Sequence, residues 1–481
     1  MGSVGLPQFN VFGEYYNTID GKLSSTQETR HGINPATGKP NAEVPVSTEQ
    51  DVDAAVNAAK KAFKTWSKVP YAERQKALRD FADAIEKNVD DFAKLLTQEQ
   101  GKPLMFAKAE ASSAVTWIRT LSGFEVPEEI IEEDDTKKII VRHTPLGVAV
   151  GIVPWNFPIQ LACGKICPSV VTGNPIIIKP SPFTPYCDLK LGELAQQFFP
   201  PGVVQVLSGD DRLGPWLTAH PGPDKISFTG STFTGKKVME SASKTLKRVT
   251  LELGGKDPTI VCPDVDIPTV AQKVATLAFL NSGQICLAIK RIYVHEDIYE
   301  PFLKAMVEFT KTLKVADGME EGTFLGPVQN SMQYEKVKGF FSDIEKSGQT
   351  VAVGGVNEDK PGYFITPTLI DRPKEDSKLV TEEPFGPIVP VMTWKDEQEV
   401  IDRANATRMG LGASVWASNL DTANRIAMSL EAGSVWVNTH LELDPRAPFG
   451  GHKESGVGFE WSAAGLKAYC NSQTLYLKKK A

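Results

Sequence analysis

The sequence predicts an α/β protein built on parallel sheets, and three patterns carry that prediction. Between residues 146 and 251, short runs of β-branched residues (GVAVGIV, PIIIKP, VVQVL, KISFTG, RVTLEL) alternate with segments of helical spacing. From Pro258 to about 440 a second alternating series follows, with TIVC, RIYVHE, PIVPVMTW, ASVWAS and SVWVN as its strands. Ahead of both, residues 49 to 125 read as helical. Alternation of this kind gives right-handed βαβ units, each sheet covered by helices on both faces.

Taken in order, the first helix carries Val52, Ala55, Val56, Ala59, Phe63 and Trp66 on one face, with Ser47 and Gln50 as its capping box. EEDDTKKIIVRHTP reads as an extended ribbon and the C-terminal NSQTLYLKKKA as another strand. Two isolated strands need a sheet to join. FFPPG at 198 to 202 is a tight turn inside a βαβ unit. No solenoid repeat and no low-complexity linker interrupts the chain.

At 481 residues the chain is long enough for about three domains, taking roughly 150 residues each. Its 41% hydrophobic and 23% charged residues exclude disordered, collagen-like and disulfide-stapled classes. Lys plus Arg 52 against Asp plus Glu 59 leaves a net charge of −7, which disfavours nucleic acid and anionic membranes as partners. Cysteines 163, 167, 187, 262, 286 and 470 have no framework spacing and fit a reducing, cytoplasmic setting. The N-terminal MGSVGLPQFN has no export pattern, and Leu6 stands where a myristoylation signal needs Ser or Thr. The most apolar run, Leu146 to Trp155, is far shorter than the roughly 20 residues of a membrane span.

Five short segments carry residues suited to chemistry. Thr229-Gly230-Ser231 follows a strand and opens a helix, a setting in which helix-terminal N–H groups hold phosphate, although such turns are as often only turns. Lys179 closes a strand one βαβ unit earlier, followed by Pro180 and Ser181, and is either a ribose ligand or a solvated lysine. Asn156 stands in PWNFP, where its amide is either an oxyanion donor or a helix cap. Glu252 in LELGGK lies at an apolar strand end; burial would raise its pKa toward that of a general base, and a salt bridge to Lys256 or another lysine is the alternative. Cys286 in NSGQICLA follows a glycine turn, as a nucleophile or a small core residue. Cys163 and Cys167 lie one helical turn apart without further ligands, so no metal is expected.

With these, PWNFP, IKPS, FTGST, LELGGK, GQIC, EEPFGP and PFGGHKESG stand in the order of the aldehyde dehydrogenase superfamily, which the chain resembles from NPATGK at 34 nearly to its end. The 34 residues from Glu252 to Cys286 are the step of its non-acylating members. The resemblance implies a Rossmann-like NAD(P) domain (1–122 and 142–251), an α/β catalytic domain (252–465) and a small oligomerisation ribbon (123–141 and 466–481). It implies NAD(P)-dependent oxidation of an aldehyde to the acid by a homodimer or homotetramer. Cys286 is the implied nucleophile, Asn156 with the Cys286 backbone N–H the oxyanion hole, and Glu252 the base for water. A coenzyme A-acylating relative would lack use for Glu252, and an idle binding relative would have no need of the intact trio.

For the cofactor, the resemblance implies Lys179 and Ser231 at ribose and pyrophosphate, Glu383 and Phe385 at the nicotinamide, and Trp155 on the adenosine side. Ile152, Pro154, Ser181, Gly214, Thr229, Gly230 and Leu253 complete that groove. Pro182 replaces the glutamate of many NAD-preferring members, so NADP should be tolerated better than in those relatives; no Arg stands beside Lys179, so NAD is expected with NADP possible. Lys165 and Glu460 match a proton relay behind Glu252. Gly458-Phe459-Glu460 replaces the family's GRE triplet. Helical spacing after Asn156 projects Gln160, Leu161 and Gly164 toward the substrate, with Ile285, Leu287, Leu441, Leu443 and Phe449 as apolar walls. The expected tunnel is roomy at Gly164, with Gln160 its one polar handle, and suits aromatic or medium aliphatic aldehydes. Arg446 is the nearest candidate to anchor a substrate carboxylate.

Overall fold

A computed structural model describes residues 9–355 and 361–480; the N-terminal signal reading, Leu6 included, falls largely outside the described residues. The five strands expected between 146 and 251 form as Ala149–Ile152, Ile176–Lys179, Val204–Val206, Lys225–Thr229 and Arg248–Glu252. Neighbours pair in parallel, in the spatial order Val204–Val206, Ile176–Lys179, Ala149–Ile152, Lys225–Thr229, Arg248–Glu252. In chain order this is a doubly wound sheet whose winding reverses between Ala149–Ile152 and Lys225–Thr229. A crevice opens beyond the carboxyl ends of the strands at such a reversal. Asn17–Ile19 and Lys22–Ser24 extend one edge, and Gly456–Val457 closes the other, antiparallel to Arg248–Glu252. The first sheet therefore takes an edge strand from beyond residue 252.

Side chains alternate across this sheet, as a strand's two-residue period requires. Ile176 and Ile178 pack with the helices Tyr71–Lys87, Leu104–Ser122 and Pro158–Val171, whereas Val150 and Ile177 pack with Glu49–Trp66. On that last helix Ala62 is buried and Phe63 only half-buried. Its capping box lies one residue later than expected: Thr48 Oγ1 accepts from the Asp51 N–H at 3.2 Å and Asp51 Oδ2 from the Thr48 N–H at 2.8 Å. Ser47 is engaged elsewhere, donating to the Ser208 carbonyl at 2.7 Å and accepting from Asn17 Nδ2 at 2.9 Å. Tertiary bonding thus decides between two adjacent hydroxyls that either could cap.

The second series forms a seven-stranded sheet in the order Thr350–Gly355, Thr366–Asp371, Ile388–Trp394, Arg291–His295, Pro258–Val261, Gly412–Trp416, Ser434–Val437. All its pairings are parallel except the first. The isolated strands find each other: Lys137–Pro145 pairs with Glu129–Glu133 and, over nine residues, with Cys470–Lys478. Lys137–Pro145 runs across the boundary expected at 141. Ile130, Ile131, Tyr476 and Leu477 on this ribbon are exposed. Among the described residues, no helix is long and apolar enough to cross a membrane, and no group of His, Cys, Asp or Glu could hold a metal ion. Cys163, Cys167 and Cys187 are buried in the helical layer.

Between the helix Ile267–Phe279 and Cys286, the backbone makes a left-handed turn with φ of 50° at Asn281, 56° at Ser282 and 71° at Gly283. A Cβ on Gly283 would lie 2.3 Å from the Gly386 carbonyl oxygen, so both conformation and space require glycine there. Gly283→Ala is expected to destabilise the protein by about 2–3 kcal/mol, through strain and overpacking together. A denaturant midpoint indistinguishable from that of the parent chain would contradict this close approach.

Candidate active site

Beyond the carboxyl ends of the first sheet lies a cavity of about 740 Å³. Strand ends and the loops after them supply Ile152, Pro154, Trp155, Asn156, Lys179, Ser181, Pro182, Thr229, Gly230, Ser231, Glu252 and Leu253. Gln160 and Leu161 enter from the helix Pro158–Val171. The second half of the chain adds Ile285, Cys286, Leu287, Glu383, Phe385, Leu441, Leu443 and Phe449. Four expected site residues do not line it: Gly164, Lys165, Gly214 and Glu460.

Asn156 Nδ2 donates to the Gln284 carbonyl at 3.0 Å, which joins the strand-end loop to the turn before Cys286. An amide nitrogen carries two hydrogens, so a second donor remains. The helix cap falls on Phe157 without a side-chain bond, so the capping alternative for Asn156 is not realised. The Asn156 carbonyl accepts from Lys102 Nζ at 2.8 Å, and Lys102 is in turn paired with Glu110. Glu110 Oε1 accepts from the Gln160 N–H at 3.2 Å. Both partners are buried; desolvation pushes the Lys102 pKa down and the Glu110 pKa up. This pair fixes the segment from Asn156 to Gln160 from below.

Cys286 is half-buried. Burial pushes its thiol up to about 12, opposed chiefly by the Lys290 ammonium, while Glu383, Asp257 and Glu252 push it further up. Lys290 Nζ donates to the Cys286 carbonyl at 2.5 Å and pairs with Glu383 Oε1 at 3.1 Å. His440 braces the next residue: its Nε2 is 2.7 Å from the Leu287 carbonyl, which can only accept, so Nδ1 accepts from Ser414 Oγ at 2.9 Å.

Glu252 ends its strand fully enclosed, and neither carboxyl oxygen has a hydrogen-bond partner among the described residues. Burial, then the Glu460 carboxylate, raises its pKa well above the ordinary carboxylate value, while Lys165 opposes both. The lysine alternative fails at Lys256, which donates to the Leu379 carbonyl at 2.8 Å. Lys165 and Glu460 form a buried ion pair outside the cavity lining; Lys165 Nζ also donates to Thr229 Oγ1 at 2.8 Å and Ser227 Oγ donates to Glu460 Oε1 at 2.6 Å.

Lys179 is 7% exposed, so it is no solvated strand end; burial lowers its pKa to about 8, and it donates to the Pro180 carbonyl at 2.9 Å. Gly214 stands behind it, a Cβ there lying 3.8 Å from Lys179 Cε. Ser231 caps the helix Thr232–Ser243, accepting from the Thr234 N–H at 3.2 Å. Trp155 meets Phe385 edge to face at 5.3 Å. The two rings expected at opposite ends of the groove therefore share one end.

Three expectations about the substrate side need correction. Gly164 opens no room, because Trp461 Nε1 lies 3.2 Å from where its Cβ would be. Gln160 is not the one polar handle, since the indoles of Trp117 and Trp461 also line the cavity. Arg446 is exposed, bonded to Asp444 and absent from the lining. Phe106, Glu110, Ser113 and Trp117 of the helix Leu104–Ser122 also line the cavity. Their spacing of four, three and four residues is one helical face, the only local signal that could have found them.

The aldehyde dehydrogenase family model matches residues 23–475. The chain belongs to the aldehyde dehydrogenase family. It is 43% identical over 470 residues to an aldehyde dehydrogenase of a Fusarium species, covering 97% of this chain and 100% of that one. It is 35% identical over 490 residues to phenylacetaldehyde dehydrogenase of Pseudomonas fluorescens, covering 98% and 95%. Its fold is similar to that of the NAD+ complex of aldehyde dehydrogenase from Bacillus cereus, with a TM-score of 0.95, 35% identity and 98% of each chain covered.

Two outcomes follow for this aldehyde dehydrogenase. Lys102→Met leaves Glu110 buried without its cation, and is expected to cost about 3–5 kcal/mol of stability in denaturant titration. Burial lowers the His440 pKa from 6.5 to about 3. Below pH 6.5 the unfolded chain takes up a proton that the folded one refuses, so stability falls as pH drops, by about 1.4 kcal/mol per unit from this group. His440→Gln should flatten the stability profile between pH 6 and 4 by about that slope.

Proposed function

We propose that this aldehyde dehydrogenase oxidises its aldehyde to the carboxylic acid with NAD(P), through a covalent adduct on Cys286. One observation carries the reading: a thiol, a spare amide donor on Asn156 and an unpartnered carboxyl on Glu252 open on a single cavity. The same cavity holds residues that fit a dinucleotide. Lys179 keeps ammonium hydrogens beyond its one bond to Pro180, and the helix opened by Gly230-Ser231 offers its N-terminus to pyrophosphate. Glu383 and Phe385 would hold the nicotinamide end. Pro182 presents no carboxylate against a ribose phosphate, which lets NADP be tolerated, while the lack of an arginine beside Lys179 in the sequence leans toward NAD.

The chemistry begins at Cys286. An aldehyde has no leaving group, so hydride can depart only after the thiolate has added to the carbonyl carbon and formed a tetrahedral alkoxide. The second N–H of Asn156 and the Cys286 backbone N–H stabilise that alkoxide, a contribution of roughly 3 kcal/mol per positioned donor. When bound, NAD(P) supplies the hydride acceptor that lets the adduct become a thioester. Glu252 then takes a proton from water, the resulting hydroxide attacks the thioester carbon, and the Cys286 thiolate leaves with the carboxylic acid released. A carboxyl whose pKa is raised by burial can accept that proton near neutral pH. Lys165 and Glu460 pass the proton on. Hydrolysis in this way, rather than transfer to coenzyme A, is the use that an enclosed, unpartnered Glu252 has.

Around the reacting groups, Ile285, Leu287, Leu441, Leu443 and Phe449 favour an aromatic or medium aliphatic substrate. The ribbon, with Ile130, Ile131, Tyr476 and Leu477 uncovered, is the surface through which we expect a homodimer or homotetramer to form. The division into cofactor, catalytic and ribbon units follows the same reading, with the ribbon strand continuing to Pro145 and Gly456–Val457 joining the cofactor sheet, and a cytoplasmic setting suits six free cysteines.

Cys286→Ser should abolish oxidation of aldehydes, followed at the reduced-nicotinamide absorbance, while leaving cofactor binding intact. Glu252→Gln should retain a single-turnover burst and slow the steady state by about 10²-fold or more. Unimpaired turnover by Cys286→Ser would remove the nucleophile from this scheme.

A further inference from the structure

The loop after the strand Val204–Val206 brings a carboxylate to the same end of the cavity as Lys179. That strand runs parallel beside Ile176–Lys179, with Val206 opposite Ile178, and the Leu207 N–H donates to the Ile178 carbonyl at 3.0 Å. The residues that follow, Ser208 to Arg212, therefore leave the sheet next to the turn that begins at Lys179. Gly214 lies just beyond them, a Cβ there standing 3.8 Å from Lys179 Cε. Asp211 lines the cavity together with Lys179, Ser181 and Pro182. Among the charges around Lys179, the Asp211 carboxylate acts on it most strongly.

This carboxylate is uncommitted. Asp211 is exposed, and its side chain takes part in no hydrogen bond or ion pair among the described residues. The arginines nearby are engaged. Arg212 Nε donates to Asp210 Oδ2 at 2.7 Å and its Nη2 to Glu28 Oε2 at 3.0 Å, while Arg30 Nη1 donates to the Gly209 carbonyl at 3.2 Å. Among the described residues no arginine lines the cavity. Of the lysines in the lining, Lys102 is held by the Asn156 carbonyl and Lys336 by the Glu383 carbonyl, so Lys179 is the cation that faces Asp211.

We propose that Asp211 selects the cofactor: its carboxylate accepts the hydroxyls of the adenosine ribose and repels a phosphate placed on one of them, so that NAD is chosen over NADP. The inference rests on the dinucleotide reading of this cavity and adds the residue that discriminates. A vicinal diol carries two O–H donors, and an ionised carboxylate is acceptor-only, with lone pairs for both. Such charge-assisted bonds are stronger than neutral ones. A 2′-phosphate replaces one donor by a group bearing close to two negative charges, which sets like charge against like. Lys179 does not decide between the two, since an ammonium donates to a hydroxyl or to a phosphate oxygen. The room that Pro182 leaves for a phosphate is thus guarded from the neighbouring strand.

The test is equilibrium binding, followed by the fluorescence of NADH and NADPH. Displacement of NADH by adenosine 5′-monophosphate or adenosine 2′,5′-bisphosphate then reads the adenosine end alone. The parent protein should bind NADH about tenfold or more tightly than NADPH at low ionic strength, and the gap should narrow as salt screens the repulsion. Asp211→Asn should weaken NADH and strengthen NADPH, closing most of that gap, and Asp211→Arg should reverse it. The bisphosphate should gain on the monophosphate in the same order. A parent that binds NADPH as well as NADH or better would overturn the proposal, as would a ratio within about twofold of the parent's in each variant that folds. If the parent binds neither dinucleotide, the cavity is no cofactor groove and the underlying reading falls together with the proposal. If both bind and the ratio stays put, the groove stands and only the role of Asp211 is lost.

Discussion

The site depends on the register of the first sheet. Parallel pairing sets Lys179 opposite Ile152, Ile152 opposite Phe228 and Phe228 opposite Leu251, with the pair Thr229 and Glu252 one residue further along, so four strands end within one residue of the same level. Because side chains alternate with a period of two, a slip of one residue in any strand would turn its last side chain to the other face. These strand ends straddle the place where the winding reverses, so the cation of Lys179, the helix-opening turn after Thr229 and the carboxyl of Glu252 border a single crevice. Val150, Ile177 and Ile226, buried on one face of the same strands, are what hold that register. The core and the chemistry are therefore set by the same alternation.

Enclosure then determines how the reactive groups behave. Taking Cys286 and Glu252 out of water favours their protonated forms, and both pKa values rise for that reason first. Charge partners temper this unequally. Lys290 stands close to Cys286 but is shared with Glu383, and Lys165 stands behind Glu252 but is shared with Glu460. Each reactive group thus faces a cation whose field is largely neutralised by a carboxylate. A full, unshared ammonium would hold Glu252 ionised and a poor proton acceptor at neutral pH; without any cation the thiolate would be costlier still to form.

Much of this was legible in the sequence because strand ends are local objects. A β-branched run stopped by glycine or proline marks both a strand and its carboxyl edge, which brings Asn156, Lys179, Ser231 and Glu252 into view with no knowledge of their neighbours. Cys286 was legible through its glycine turn. What spacing could not display is contact between remote segments. Lys102 and Glu110 read as ordinary helical residues until they are seen beneath Asn156. The choice of Thr48 over Ser47 as cap is made by Asn17 and Ser208, neither of them near in sequence.

Gly164 shows the same limit in its sharpest form. Read within its own helix, a glycine facing the tunnel means empty space. In the fold, that space is taken by an indole arriving from close to the other end of the chain, at a backbone angle that glycine would adopt more easily than tryptophan. Volume has been moved from one chain position to another, so the wall remains but its chemistry changes. An aromatic side chain projecting from position 164 would have approached from the helix. The indole of Trp461 approaches from the opposite side, stacks on Phe449 and carries an N–H that no neighbouring residue accepts. The cavity wall at this point is consequently a property of the pair Gly164 and Trp461, and neither residue read alone discloses it.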